Sequence, residues 1–226
     1  MKLNVWLVIA FLFATGAILG WCLEVLFRKF ISKKNPERKW LNPGFCLGPY
    51  LPLYGFGLTA LFLLSYIGDE VGYGETFVSK IVLFFIMALI MTFIELIAGL
   101  LCVNVFKVRL WDYRKEWGNF KGIICPKFTF LWTLLSAAYY FILQPKVINW
   151  VVWLSQHLTF SFFVGLFYGI FIIDVIVSSG MAVKMRKYAK ENDVIVEQGT
   201  RPNNDSGLFK GLLNFLYNSR VGAKKK

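Results

Sequence analysis

Three carboxylates stand inside otherwise apolar runs: Glu24 in GWCLEVLFRKF, Glu95 in MTFIELIAGLL and Asp174 in GIFIIDVIVSSG. An acid in such surroundings is costly to desolvate and faces the interior of a helix bundle. It is a functional candidate by default, for proton, cation or amine handling. Glu24 precedes Arg28 by one helical turn, so an i,i+4 ion pair is a sufficient structural role for it. Glu95 and Asp174 lack such a neighbour, and interhelical hydrogen bonding is their structural alternative. A fourth acid, Asp112, lies in the basic and aromatic stretch RLWDYRKEW. Its candidate partners are Arg109, Arg114 and Arg28, and such a pair could lock this loop to the one after Arg28.

The elements that must position these acids follow from composition. The chain has 226 residues, of which 57% are hydrophobic and 18% aromatic; a soluble domain is nearer about 45–50% apolar. Five long runs carry the excess, at 5–27, 50–67, 78–104, 129–148 and 158–183. Runs of this length predict an all-α integral membrane protein, multi-pass in the cell membrane. The second is barely long enough to span. The opening run is too long for a signal peptide and ends in Glu24 and Arg28 without a small-residue cleavage site, so it reads as an uncleaved span.

Charge gives the orientation. Six basic residues follow the first run, from Arg28 to Lys39, and six follow the third, from Lys107 to Lys127. Ten more lie between Lys184 and Lys226, leaving only Lys2, Lys80 and Lys146 for the other side. The alternate connections, 68–77 and 149–157, contain no Lys or Arg. This pattern predicts an outside N-terminus and an inside C-terminus. It also assigns the +12 net charge to an anionic inner leaflet, with no need for nucleic acid. Cys22, Cys46, Cys102 and Cys125 all fall in the cytoplasmic half, where thiols stay reduced, and no C-x-x-C spacing points to metal or redox work. No metal or other cofactor is implied. His157, in an outer connection, reads as an interfacial polar residue.

The expected organisation is a five-span domain over 1–188, a cytoplasmic linker over 189–206 and a basic amphipathic tail over 207–226. In the tail, Leu208, Phe209, Leu212, Leu213 and Leu216 share a helical face beside Lys210, Arg220 and Lys224 to Lys226. That arrangement suits a helix lying on the inner membrane surface, or one packed on a partner protein.

Residues 42–57, NPGFCLGPYLPLYGFG, hold four glycines and three prolines immediately before an apolar run. Pro49 and Pro52 suit a helix start, and Gly44 and Gly48 a tight backbone before it. Gly55 and Gly57 leave room for a neighbouring helix. Irregular backbone at this depth must be covered by protein or line a wet cavity, and a helix N-terminus near basic residues could hold a lipid phosphate. A loose repeat links this stretch to a later one. Glu24 leads to Asn42, Gly44, Cys46 and Pro49, whereas Glu95 leads to Asn119, Gly122, Cys125 and Pro126. The Glu-to-Asn spacings, 18 and 24 residues, differ, so chance and duplication explain it about equally. The later loop, 109–128, also carries the interfacial aromatics Trp111, Tyr113 and Trp117.

With GWxxE at 20–24, NxGFxxGPYxPLYGxG at 42–57, MTxIE at 91–95 and WDY followed by NxxGxIC at 111–125, the chain resembles the CmpB-like ABC transporter permeases, type IV. The resemblance covers roughly residues 15–135. It implies as hallmark positions Glu24, Gly44, Gly48, Pro49, Tyr50, Pro52, Tyr54, Gly55, Glu95, Trp111, Asp112, Tyr113, Asn119 and Gly122. Pro43 and Pro126 depart from the family pattern.

The first functional expectation is therefore a permease subunit of unknown substrate. The sequence has no G-x-x-x-x-G-K-[ST] loop, so it would rely on a separate cytoplasmic ATPase touching the loops at 28–48 and 105–128. Five short spans are few for a translocation path, which favours a homo- or hetero-oligomer. One alternative is a membrane enzyme acting on a lipid phosphate through Glu24, Glu95, Asp112 and Asp174, although no D-x-x-D or H-E-x-x-H cluster appears. The other is a non-transporting membrane scaffold that works through its basic tail.

Overall fold

The computed structural model describes residues 4–32, 35–72, 76–106 and 109–191, and among these the chain is helical with no strands. In order come α1 (Val5–Phe30), α2 (Pro52–Glu70), α3 (Phe77–Leu101), α4 (Pro126–Ala138), α5 (Gln144–Gln156) and α6 (Ser161–Glu191). Among the described residues three helical segments are long and apolar enough to cross a membrane: Val5–Phe30, Phe77–Val105 and Leu158–Met181. Pro52–Gly68 is apolar but shorter. The tail at 207–226, and the linker beyond residue 191, lie outside the described residues.

Local sequence sets the helix starts. Asn4 Oδ1 accepts from the Trp6 and Leu7 amides at 3.0 and 3.4 Å, an N-cap for α1. Thr76 and Ser79 exchange side-chain-to-amide bonds at the start of α3. Pro52 and Pro126 open α2 and α4 at the first helical position, where no amide proton is needed.

The helix that contains the fourth apolar run extends beyond the expected 129–148 at both ends. Helix begins at Pro126 and continues, through a π-helical turn at Tyr139–Leu143, to Gln156. Pro145 accounts for the turn, because its ring cannot donate and would crowd the carbonyl four residues back. Residues 149–156, expected as an outer connection, are instead helical. Val147, Val151 and Leu154 recur on one buried face there. His157 ends α5, with Nδ1 2.9 Å from the Trp153 carbonyl oxygen and its ring stacked on Trp153 at 4.6 Å. At the other end α6 runs to Glu191, so the first residues assigned to the linker are helical.

The chain forms two compact units. The first comprises Met1–Ala17, Pro52–Ala98 and Asp112–Tyr168. Its core gathers Leu12 from α1, Leu61 from α2, Met87 and Met91 from α3, Trp132 from α4 and Val147 from α5. Here α1 and α2 meet backbone to backbone. A Cβ on Gly55 would stand 2.7 Å from the Phe13 carbonyl oxygen, and one on Gly16 2.8 Å from that of Tyr54. The second unit comprises Ile18–Leu51, Gly99–Trp111 and Gly169–Lys226.

Candidate functional site

In the second unit the loop before α2 closes around a carboxylate from the body of α6. Asp174 is 8% exposed. Its Oδ1 accepts from the Leu47 amide at 2.9 Å and from Ser178 Oγ at 2.7 Å. Its Oδ2 accepts from the Gly48 amide at 2.7 Å and from a short bond with the Tyr50 hydroxyl. Four donors occupy both oxygens, so the carboxylate serves to hold the loop. Gly48 is needed for this geometry, since a Cβ there would fall 2.4 Å from the buried Tyr50 ring.

Asn42 shapes the same loop. Its Oδ1 accepts from Trp21 Nε1 at 2.9 Å and from the Gly44 amide at 3.1 Å. Its Nδ2 donates to the carbonyls of Cys46 and Leu47 at 2.9 and 3.2 Å. The turn places Cys46 at 1% exposure. Burial first, then the neighbouring Asp174 and Cys102 groups, push its thiol up to about 12. Pro49 lines an open apolar cleft of about 500 Å³ together with Leu47, Tyr50, Ile170, Ile173 and Val177.

Glu24 accepts from Arg28 Nε at 2.9 Å, the i,i+4 pair. The loose sequence repeat therefore does not carry through to the acids. The carboxylate inside the 42–50 loop comes from α6, 124 to 127 residues away.

In the first unit the second motif loop is tied to Glu95, which is 3% exposed. Tyr113 donates its hydroxyl to Oε1 at 3.0 Å, and Trp132 Nε1 donates to Oε2 at 2.9 Å. The Tyr113 ring stacks on Phe128 at 4.2 Å, and its amide donates to the Gly122 carbonyl at 2.9 Å. Asn119 then plays the part that Asn42 plays in the other loop. Its Nδ2 donates to the Glu116 and Arg114 carbonyls at 2.9 and 3.3 Å, while Oδ1 accepts from the Gly122 amide at 3.1 Å. Gly118 and Gly122 have φ values of 63° and 68°, which an L side chain rarely adopts. Asp112 pairs with Arg114, two residues on and one of its three candidates, at 2.6 Å. Tyr54 and Gly55 belong to α2 in this unit, with the Tyr54 ring 5.7 Å from that of Trp132. Trp111 falls in the other unit, half-buried.

Two donors lie outside the motifs. Ser178 stands one helical turn after Asp174, an i,i+4 spacing visible in the sequence. Trp132, 37 residues from Glu95, left no comparable signal. No curated protein and no solved structure matches the chain. The motif loops and their two tyrosine-to-carboxylate bonds fall within residues 11–179, the stretch matched by one family model, which also takes in most of the apolar helices. On that match the chain belongs to the family described as "Putative ABC-transporter type IV".

Proposed function

We propose that this protein is the membrane-spanning permease subunit of an ABC-type transporter and relies on a separate cytoplasmic ATPase. Family membership and three membrane-length apolar helices support a transporter component. The observation that carries the finer reading is the tethering of both motif loops to buried helical carboxylates, Tyr50 to Asp174 and Tyr113 to Glu95. A loop fixed to the body of a long helix can pass a push from a soluble partner into that helix, which a freely moving loop cannot.

In this reading α1, α2, α3, the Pro126–Gln156 run and α6 make five spans, with the N-terminus outside and the basic loops at the inner face. Residues 189–206 then form a cytoplasmic linker and 207–226 a basic tail on the anionic leaflet. The subunit works as an oligomer in the cell membrane.

The test is gentle solubilisation of the tagged protein and quantitative mass spectrometry of what accompanies it. A stoichiometric ATPase, stimulated by this protein and weakened by changes in either loop, is the expected result. Lipid-phosphate turnover with no ATPase present, abolished by Glu95→Gln, would replace the proposal with an enzyme. A cellular role lost on removing 207–226 but kept in Glu95→Gln would replace it with a scaffold.

A further inference from the structure

The C-terminal end of α1 is finished by a tight turn that carries two cations, Lys29 and Arg38, the first of them lying against an exposed aromatic ring. Asn35, 6% exposed, donates from Nδ2 to the Arg28 and Lys39 carbonyls at 3.2 and 2.8 Å, while its Oδ1 accepts from the Lys39 amide at 3.2 Å. Arg38 takes a left-handed backbone, φ 50°, and donates from Nη1 to the Lys29 carbonyl at 3.0 Å. Lys29 Nζ lies 3.4 Å from the Trp40 ring centroid, and Phe30 meets Trp40 edge-on at 6.5 Å. Trp40, Phe30 and Ile31 are 59%, 62% and 66% exposed.

Among the described residues neither Lys29 nor Arg38 has a carboxylate partner, whereas Arg28 and Lys39 pair with Glu24 and Glu37. Arg38 spends one N–H on the Lys29 carbonyl. Arg38 is exposed, and the planar donor fork of a guanidinium suits phosphate oxygens. The depth is also right. The 26 residues of α1 extend about 39 Å, against about 30 Å of hydrocarbon, long enough for a spanning α1 to bring this turn to the headgroup layer.

We propose that Lys29 and Arg38, framed by Phe30 and Trp40, bind the phosphate of an anionic phospholipid headgroup. The aromatic rings enter the boundary between acyl chains and headgroups, and the two cations close on the phosphodiester above them. The site depends on the chain residing in a membrane, not on the transporter reading.

The test is native mass spectrometry of the full chain in mixed micelles of phosphatidylglycerol and phosphatidylcholine. The wild type should retain phosphatidylglycerol preferentially. Lys29→Gln and Arg38→Gly should each reduce that preference by about fivefold. Arg38→Gly is the decisive variant, because glycine accepts the left-handed backbone without strain and fold should be kept or improved while the lipid is lost. Lys127→Gln, an exposed lysine paired with Glu116, should leave the preference unchanged. Equal retention by Arg38→Gly and wild type would overturn the proposal. Release of the lipid by excess inorganic phosphate would also overturn it, by assigning the site to a free anion.

Discussion

Tyr50 donates its hydroxyl to the Asp174 carboxylate, joining residues 124 positions apart, and Tyr113 does the same for Glu95 across 18. In each case the tyrosine belongs to a motif loop and the acid to a long helix. An ionisable residue inside an apolar helix is a functional candidate by default, and its partners say what else it holds in place. Here the partners show an anchoring role, strongest at Asp174, where four donors fill both oxygens.

Asp174→Asn should release the 42–51 loop. The amide offers one acceptor where four donors converge, and each donor left unsatisfied costs about 1–3 kcal/mol. Tyr50→Phe removes one bond to a carboxylate, worth about 1.5–3 kcal/mol, and should be the milder change. Hydrogen exchange at the Leu47 and Gly48 amides reads this directly. Unchanged protection in Asp174→Asn would show that the loop stands without its anchor.

Glycines that share a residue type should separate sharply. Gly55→Ala drives a Cβ to within 2.7 Å of the Phe13 carbonyl, a backbone atom that cannot rotate aside, so a clear loss of thermal stability is expected. Gly169→Ala meets nothing within 4 Å and gains helix propensity of about 1 kcal/mol. It should melt at or above the wild-type temperature. Equal effects at the two positions would mean that α1 and α2 do not approach as closely as described.

Glu95→Gln should be structurally mild. The amide oxygen can still accept from Trp132, and the Tyr113 hydroxyl can turn to accept from the amide nitrogen. Glu95→Leu instead strands both donors and should cost about 2–5 kcal/mol. Melting temperatures in detergent check the ranking. A folded Glu95→Gln protein that has lost its cellular role would then identify the charge itself, separately from the anchoring, as functional.

What the sequence exposed and what it hid follow from range. Acids in apolar runs, proline at helix starts and the i,i+4 pair of Glu24 with Arg28 are local facts, and local sequence carries them. The Gly/Pro density at 42–57 marked an unusual loop but could not say that its amides face Asp174, because that contact is made 126 to 127 residues away. Nor could the repeat reveal that the two loops recruit acids from different places, one from α6 and one from the preceding helix. Helix continues past residue 148, where the fourth apolar run was expected to end, on a buried face of Val147, Val151 and Leu154.

Cys46 offers a chemical report on the same loop. Its thiol ordinarily titrates near 9.0, and burial, with the Asp174 and Cys102 groups adding to it, pushes it up to about 12. Thiolate is the reactive form, so N-ethylmaleimide should leave Cys46 unmodified near neutral pH while the loop is closed. The sign for stability is equally definite. The folded state keeps its proton to higher pH than the unfolded one, so this contribution is complete below about 9.0 and is lost as pH rises towards about 12. Opening the loop should reverse the protection, and Cys46 should become labelled at neutral pH in Asp174→Asn, more slowly in Tyr50→Phe. Mass spectrometry of the peptide carrying Cys46 measures both rates. If wild type and Asp174→Asn were labelled at the same slow rate, the thiol would be shielded by something other than the closed loop.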